Sequence, residues 1–503
     1  MEKYIKFTDR VDRRSPRNEA KEGTCWLREN ILSRDGRNNS PKGTERLNST
    51  GLNKPITWIG RYYTVESGSI SPKTFCYSQD GKLYTQNELT GVMTEIKSGL
   101  NTNAYPKHWL YKSQTQTKLY LVDGLNLYEY DGNNNNTFNK ITITDTDGKT
   151  INPIDVIEHL DRLILISNTF YYVSKNLNPI IFNDSTDSIQ GIVGSGKGLN
   201  LALGKIEDSL FFLNTEGIFR LIGDTISAVA STFDIELVEE RKIIASGSAQ
   251  KVEKAILFIA DDLELWSFDG SNSKLLSYSE KLKDFINPIR DMLNKMTSTY
   301  ENNYYKLSFV ENGYTYNNLE VWWDALEDKI DFVRGRNVGS YLKIDPTRES
   351  IYYQYGRSDF GYVMWANRGY NFDGVAIRKR LISNDIVISK GDNVRFTEFF
   401  PVIEPTGVRN LLLRYVLDGR ISDLDDTAKW TQDLSGEAKF LGLIRINNQN
   451  QMTERVKPKI NYSRGESISF EIFDNSLDLE FSLLGIGISY TVKKSKKGKK
   501  IGQ

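Results

Sequence analysis

Phosphate chemistry is the first that residue spacing suggests. In GIVGSGKG, residues 191–198, Gly191, Gly196 and Lys197 stand where a nucleotide-binding loop carries its glycines and its lysine. That loop next requires Ser or Thr to hold Mg²⁺, and Gly198 stands there instead. The stretch that follows, LNLALGKIEDSLFFL, alternates like strands, so no helix N-terminus faces the loop. The segment reads as a glycine-rich loop. Glycosidase chemistry comes next. Ser78-Gln79-Asp80-Gly81 and Ser267-Phe268-Asp269-Gly270 approach the Ser-x-Asp-x-Gly box of glycan-cleaving propellers, but the glycine arrives one residue early. Both read as hairpin turns, and the aspartates of EYDG (129–132) and SFDG (267–270) as turn residues rather than calcium ligands. With 65 carboxylates, some pair always falls at glycosidase separation, so spacing alone assigns no acid and base. His108 and His159 are the only histidines, and Cys25 and Cys76 the only cysteines. That leaves few groups for a histidine metal centre, a Ser-His-Asp triad or a zinc cluster. The expectation is a non-enzymatic chain with no cofactor and no metal, holding two reduced thiols.

The elements that would position these groups are strands. One pattern recurs: an apolar strand, an Asp or Asn turn, then an aromatic strand. It appears in TFCYSQDGKLYTQ (74–86), TKLYLVDGLNLYEYDG (117–132), DRLILISNTFYYVS (161–174), DSLFFLNTEGIFRLIG (208–223) and KAILFIADDLELWSFDG (254–270). It is looser in YYKLSFVENGYTYNNLEVWW (304–323) and looser still in YLKIDPTRESIYYQYG (341–356). The turn residues are Asp80, Asp123, Asn168, Asn214, Asp261, Asn312 and Asp345, at intervals of 43, 45, 46, 47, 51 and 33. The first four intervals match a four-stranded propeller blade. Alternation of Leu119 and Leu121 with Tyr120 and Val122 suits a strand packed on both faces. The expected fold is all-β: a six- or seven-bladed β-propeller over 51–365, followed by a β-sandwich over 366–492. The sandwich is read from AIRKRLISNDIVI, VRFTEFFPVIE, NLLLRYVLDG, KFLGLIRIN, SISFEIFD and LEFSLLGIGISYTV. EKLKDFINPIRDMLNKM (280–296) has helical spacing with an interruption at Pro288, and reads as an insertion packed on the propeller.

The ends differ. Residues 1–50 hold 12 basic and 8 acidic residues and show no strand alternation, so they read as an extended N-terminal arm lying on the propeller or on a neighbour. Arg10, Arg13, Arg14 and Arg17 cluster there and are the expected contacts to another subunit or an adaptor. Residues 493–503 form a basic C-terminal tail, in which Lys493, Lys494, Lys496 and Lys497 are weaker candidates for the same role or for phosphate contact. Net charge is zero, which speaks against a general nucleic-acid coat. No apolar run reaches the roughly 18–20 residues of a membrane span, and the N-terminus lacks the apolar segment of a signal peptide.

This layout resembles the tailed-bacteriophage propeller proteins of the tail-hub or nozzle class, which stabilise packaged DNA. The matching stretches are GKLYTQ (81–86), TKLYLVDGLNLYEYDG (117–132), FDGVAIRKRLISNDIVI (372–388) and GESISFEIFDNSLDLEFSLLGIGISYTV (465–492). The resemblance implies a virion protein, assembled in the host cytoplasm. It implies a homo-oligomeric ring, a hexamer, below the portal and adaptor, through which double-stranded DNA passes without sequence readout. It transfers no catalytic residue. Two other readings stay open: a receptor-binding or fibre-attachment module using the propeller face, and a glycan-cleaving enzyme.

Overall fold

A computed structural model of the chain describes residues 1–66, 69–87, 90–112, 117–132, 137–224, 231–342, 354–403, 409–417, 440–446 and 464–493. Five four-stranded antiparallel sheets follow one another, each in simple sequence order. The first holds Ile56–Glu66, Ser69–Ser78, Lys82–Gln86 and Met93–Lys97. The second holds Lys107–Lys112, Thr117–Val122, Leu127–Tyr130 and Asn139–Ile141. The third holds Asp155–His159, Arg162–Ile166, Phe170–Val173 and Ile189–Ile192. The fourth holds Asn200–Ile206, Ser209–Asn214, Ile218–Ile222 and Asp234–Glu239, and the fifth Gln250–Val252, Ala255–Ile259, Leu265–Phe268 and Ser273–Leu275. A sixth run of four strands, Thr297–Glu301, Tyr304–Val310, Asn317–Asp324 and Lys329–Arg334, repeats the pattern inside a larger sheet. A seventh begins with Val338–Tyr341, Gln354–Arg357 and Val363–Ala366.

The first strands of successive sheets pack side by side, and that of the seventh returns to pack on that of the first. The architecture is propeller-like. Its cohesion follows from strands whose two faces serve different cores. Leu119 and Leu121 join Trp58, Phe75 and Tyr130 on one side, while Tyr120 and Val122 join Val156, Leu163 and Leu165 on the other. Each such buried aliphatic side chain stabilises by roughly 1.5–3 kcal/mol. The expected turn residues Asp80, Asp123, Asn168, Asn214, Asp261 and Asn312 all fall in the hairpin between second and third strands. Asp345 lies outside the described residues. In the seventh sheet that hairpin is Ser358–Gly361, where Asp359 sits one further regular interval beyond Asn312.

The N-terminal segment lies on the rest of the chain by adding short strands to distant sheets. Thr44–Arg46 is the fourth strand of the seventh sheet, antiparallel to Val363–Ala366, with Thr44 opposite Ala366 and Arg46 opposite Met364, and Asn371–Phe372 adds parallel beyond it. Cys25–Glu29 joins the sixth run through Glu29 beside Phe332, and pairs antiparallel with Lys379–Ser383 on its other side. Glu2–Ile5 pairs with Ser482–Lys493. These strands are three to five residues long, too short for alternation to show. Ile5, Phe7, Val11 and Ile31 of this segment are buried in cores shared with residues hundreds of positions away, and Leu27 is buried as well.

Beyond Ala366, Asn371–Phe372 and Val375–Ala376 extend the seventh sheet, and the remaining strands form two sheets. One orders Leu32–Arg34, Arg37–Asn39, Ser482–Lys493, Asn393–Ile403 and Arg464–Gly465. The other runs from Cys25–Glu29 through Lys379–Ser383, Ser467–Asp474 and Arg409–Leu417 to Phe440–Ile446. Phe396, Phe399, Tyr415, Phe470, Leu483 and Ile488 share one core, with Phe7 and Ile31 from the N-terminal segment. Because Cys25–Glu29 also meets the sixth run, ten strands form one continuous sheet that fuses the two bodies. The expected helix is a four-residue α-turn, Lys283–Ile286, followed by a 3₁₀ run, Asn287–Lys295, broken at Ile289 just after Pro288. Leu282, Ile286 and Ile289 pack into the core shared by the fifth and sixth sheets. No helix among the described residues is long and apolar enough to cross a membrane.

Candidate functional site

The arginines singled out in the sequence are mostly engaged within their own chain. Arg14 donates from Nη2 to Glu264 Oε1 at 2.9 Å, with its guanidinium 4.1 Å over Tyr278. Arg13 lies 4.8 Å over the Phe285 ring and 5.6 Å from Trp26. Arg17 donates to the Ser383 carbonyl at 2.8 Å and stands 3.5 Å from Asp385. Three of the four candidates therefore staple the N-terminal segment to the fifth sheet, the helical turn and the C-terminal body. A polar segment without its own core needs such anchors. Arg10 alone is exposed. Lys493 is exposed at the end of its strand, while Lys494, Lys496 and Lys497 lie outside the described residues.

Beside these anchors sits Glu280, almost wholly buried, with Oε2 lacking a hydrogen-bond partner among the described residues. Burial pushes its carboxyl up to about 8; Arg10 opposes the shift, and Glu264 and Asp331 add to it. The unfolded carboxyl ionises near 4.5, so the folded state binds the proton more tightly. Its contribution is fully present below that value and is lost as pH rises toward 8, by on the order of 4 kcal/mol. Thermal unfolding midpoints should therefore fall between pH 5 and 8, and Glu280→Gln should flatten that slope. Equal slopes for both proteins would refute the assignment.

The glycine-rich loop holds an anion, but its own. Glu216 accepts from the Ser195 backbone N–H at 2.9 Å and from the Ser195 hydroxyl, and its carboxyl is held below the usual range by Ser195 and the Gly198 amide. The amides that would cradle a phosphate are filled by a carboxylate of the next hairpin. Glu216→Ala should loosen residues 193–199 with little change in global stability. Limited proteolysis should then show a new cut in that loop, and an unchanged digest would contradict the role. The SFDG aspartate is a turn residue: Asp269 accepts from the amides of Ser271 and Asn272 at 2.9 and 2.8 Å, and Gly270 takes φ +102°, open to glycine at little cost.

Residues at or beside the first strands line a narrow axial cavity of about 140 Å³. Side chains bridge it. Lys107 reaches the Ser246 carbonyl at 3.4 Å, Trp58 Nε1 donates to His108 Nδ1 at 2.9 Å, and Asp155 accepts from the Leu203 amide at 2.9 Å. Ser298 donates to Gly247 and the Ile59 amide to Ser340. His159 is buried, and burial with Lys205 nearby pushes its imidazole down to about 4. Cys25 and Cys76 are free, buried thiols, and burial pushes that of Cys25 up to about 12.

A cleft of about 500 Å³ lies where the sixth and seventh sheets meet the N-terminal segment and residues 372–378. Five arginines, Arg46, Arg334, Arg336, Arg357 and Arg378, line it against three carboxylates, Glu29, Glu311 and Asp373. Arg334 grips Glu311 through Nε and Nη2 at 3.1 and 2.6 Å and Glu29 through Nη1 at 2.6 Å. Arg357 forks onto Asp359 at 2.8 and 2.6 Å, and Arg46 donates to Asp373 at 2.5 Å. Behind them Arg336 is buried between Trp322 and Tyr355, 3.5 Å from Glu320. Arg378 is exposed, 5.2 Å from the Phe473 ring. Tyr314 and Phe360 stand on the rim, 44% and 57% exposed. Fixed guanidinium groups with exposed aromatic rings bind carboxylates and flat protein surfaces. The sequence gives little sign of this site, since its arginines come from four separate segments and only Arg334-Gly335-Arg336 is a local cluster.

No protein-family profile and no curated protein matches the chain. Among solved structures it is similar to the computationally designed Ika8 protein, at 10% identity and a TM-score of 0.37, over 64% of this chain and 99% of that one. It is also similar to BamB from Moraxella catarrhalis, at 8% identity and a TM-score of 0.35, over 67% of this chain and 93% of that one.

Proposed function

We propose that the chain is a non-enzymatic structural protein of a tailed-phage particle, a hub or nozzle subunit that forms a ring below the portal and adaptor. In this reading it has seven blades, the seventh completed by Thr44–Arg46, and the two sheets beyond Ala366 are a β-sandwich. The observation that carries the building-block reading is the ten-stranded sheet through Cys25–Glu29, which fuses the two bodies. A hinge between them would suit a binding module; a continuous sheet suits a part that transmits force. The phage placement itself rests on the resemblance of GKLYTQ, TKLYLVDGLNLYEYDG and the closing strands. DNA would pass between copies, because the bridged axis of a single copy has no room for a duplex whose major groove alone is about 12 Å wide. Imaging of particles should place the chain as a ring on the tail axis. A stable monomer found only free of particles would overturn the proposal.

A further inference from the structure

Two surfaces on opposite flanks of the propeller complement each other. The first is the arginine and aromatic cleft at the sixth and seventh sheets. The second is the outer strand of the fourth sheet, Asp234–Glu239, which has no partner strand on its outer side among the described residues. At six residues it is longer than the outer strands of the other four separate sheets. A long bare edge is an association site that folded proteins normally blunt. Here it carries exposed Asp234, Glu236 and Glu240, with Leu237 49% exposed among them. Glu236 pairs with Arg220 at 2.6 Å, the two side chains 48% and 39% exposed. Exposed pairs of this kind contribute little and exchange partners readily.

We propose that a second copy of this chain docks its Asp234–Glu239 strand and the following Glu240 at the cleft of the first, with Leu237 against the exposed rings and the carboxylates facing Arg46 and Arg378. The inference deepens the ring reading above and rests on it. In a cycle of seven sheets, a site at six and seven and another at four lie on different flanks. A contact between unlike patches is heterologous, and repetition builds a ring when its rotation closes. Charge decides the register: Arg46, Arg334, Arg336 and Arg357 are paired with carboxylates of their own, whereas Arg378 stands exposed beside the Phe473 ring and offers its charge to the acidic strand.

The residues to change are exposed, so their substitution leaves the fold intact. Full-length protein is followed by sedimentation velocity at low and high salt. Wild type should associate at low salt and dissociate as salt screens the contact. Glu236→Arg, Leu237→Asp and Arg378→Glu should each weaken association by roughly tenfold or more. Combining Glu236→Arg with Arg378→Glu should recover much of the loss, because the exchanged charges face each other again. Association indifferent to all three single changes, or a combined variant no better than its parents, overturns the contact but leaves the ring. A chain monomeric at every salt concentration and absent from the tail axis of particles overturns the ring reading, and the contact with it.

Discussion

Removing residues 1–50 should prevent folding, not trim a dispensable tail. The truncated chain loses Ile5, Phe7, Val11, Leu27 and Ile31, all buried. At roughly 2 kcal/mol each, that is about 10 kcal/mol, comparable with the whole stability of an ordinary domain, about 5–15 kcal/mol. It also loses Thr44–Arg46, which leaves Val363–Ala366 as a bare edge, and the strand that fuses the two bodies. Expression without residues 1–50 should give insoluble protein or a soluble species with no cooperative thermal transition. Removing only residues 1–22 retains the fusion strand Cys25–Glu29 and the closure strand Thr44–Arg46 and should give an intermediate loss. A soluble 51–503 chain that melts sharply within a few degrees of full length would contradict this account.

This expected result marks where sequence reading succeeds and where it stops. The phase of the repeat was legible because tight hairpins need Asp or Asn at one fixed point, and six of those turns lie where the spacing puts them. The seventh expected turn, Asp345, lies outside the described residues, while Asp359, in the hairpin of the seventh sheet, follows Gly356-Arg357 where the other repeats carry an apolar strand end. The N-terminal segment was illegible for a different reason. Strands of three to five residues that complete distant sheets carry no periodicity, and their polar residues are justified only by partners such as Glu264, Ser383 and Asp331. The arginine cleft was hidden likewise. Arg46, Arg334, Arg357 and Arg378 meet only after the chain returns its N-terminus to the seventh sheet.

The sharpest single-residue effect is expected at Arg28. Its side chain is fully buried, with Nε donating to Asp331 at 2.5 Å and Nη1 to the carbonyls of Phe7 and Asp9 at 3.2 and 3.0 Å. Asp331 in turn accepts from the Ser33 amide at 2.8 Å, so one ion pair fixes three stretches of the N-terminal segment to the sixth sheet. Such a pair adds little over a well-packed apolar replacement, because removing both charges from water is costly. Breaking it is another matter. Arg28→Ala leaves Asp331 buried without its counter-ion and two carbonyls without a donor, and should cost about 3–5 kcal/mol in chemical denaturation. Burial already pushes the Asp331 carboxyl up despite Arg28. Without the arginine it should rise further and take up a proton on folding. The variant should therefore recover stability as pH falls, opposite to the loss expected when a carboxylate paired in the native state is protonated. Asp331→Asn in the Arg28→Ala background should restore part of the loss and remove that pH dependence, because the amide carbonyl still accepts from Ser33. A cost below about 1 kcal/mol for Arg28→Ala, or a double variant worse than the single, would show that the anchor lies elsewhere.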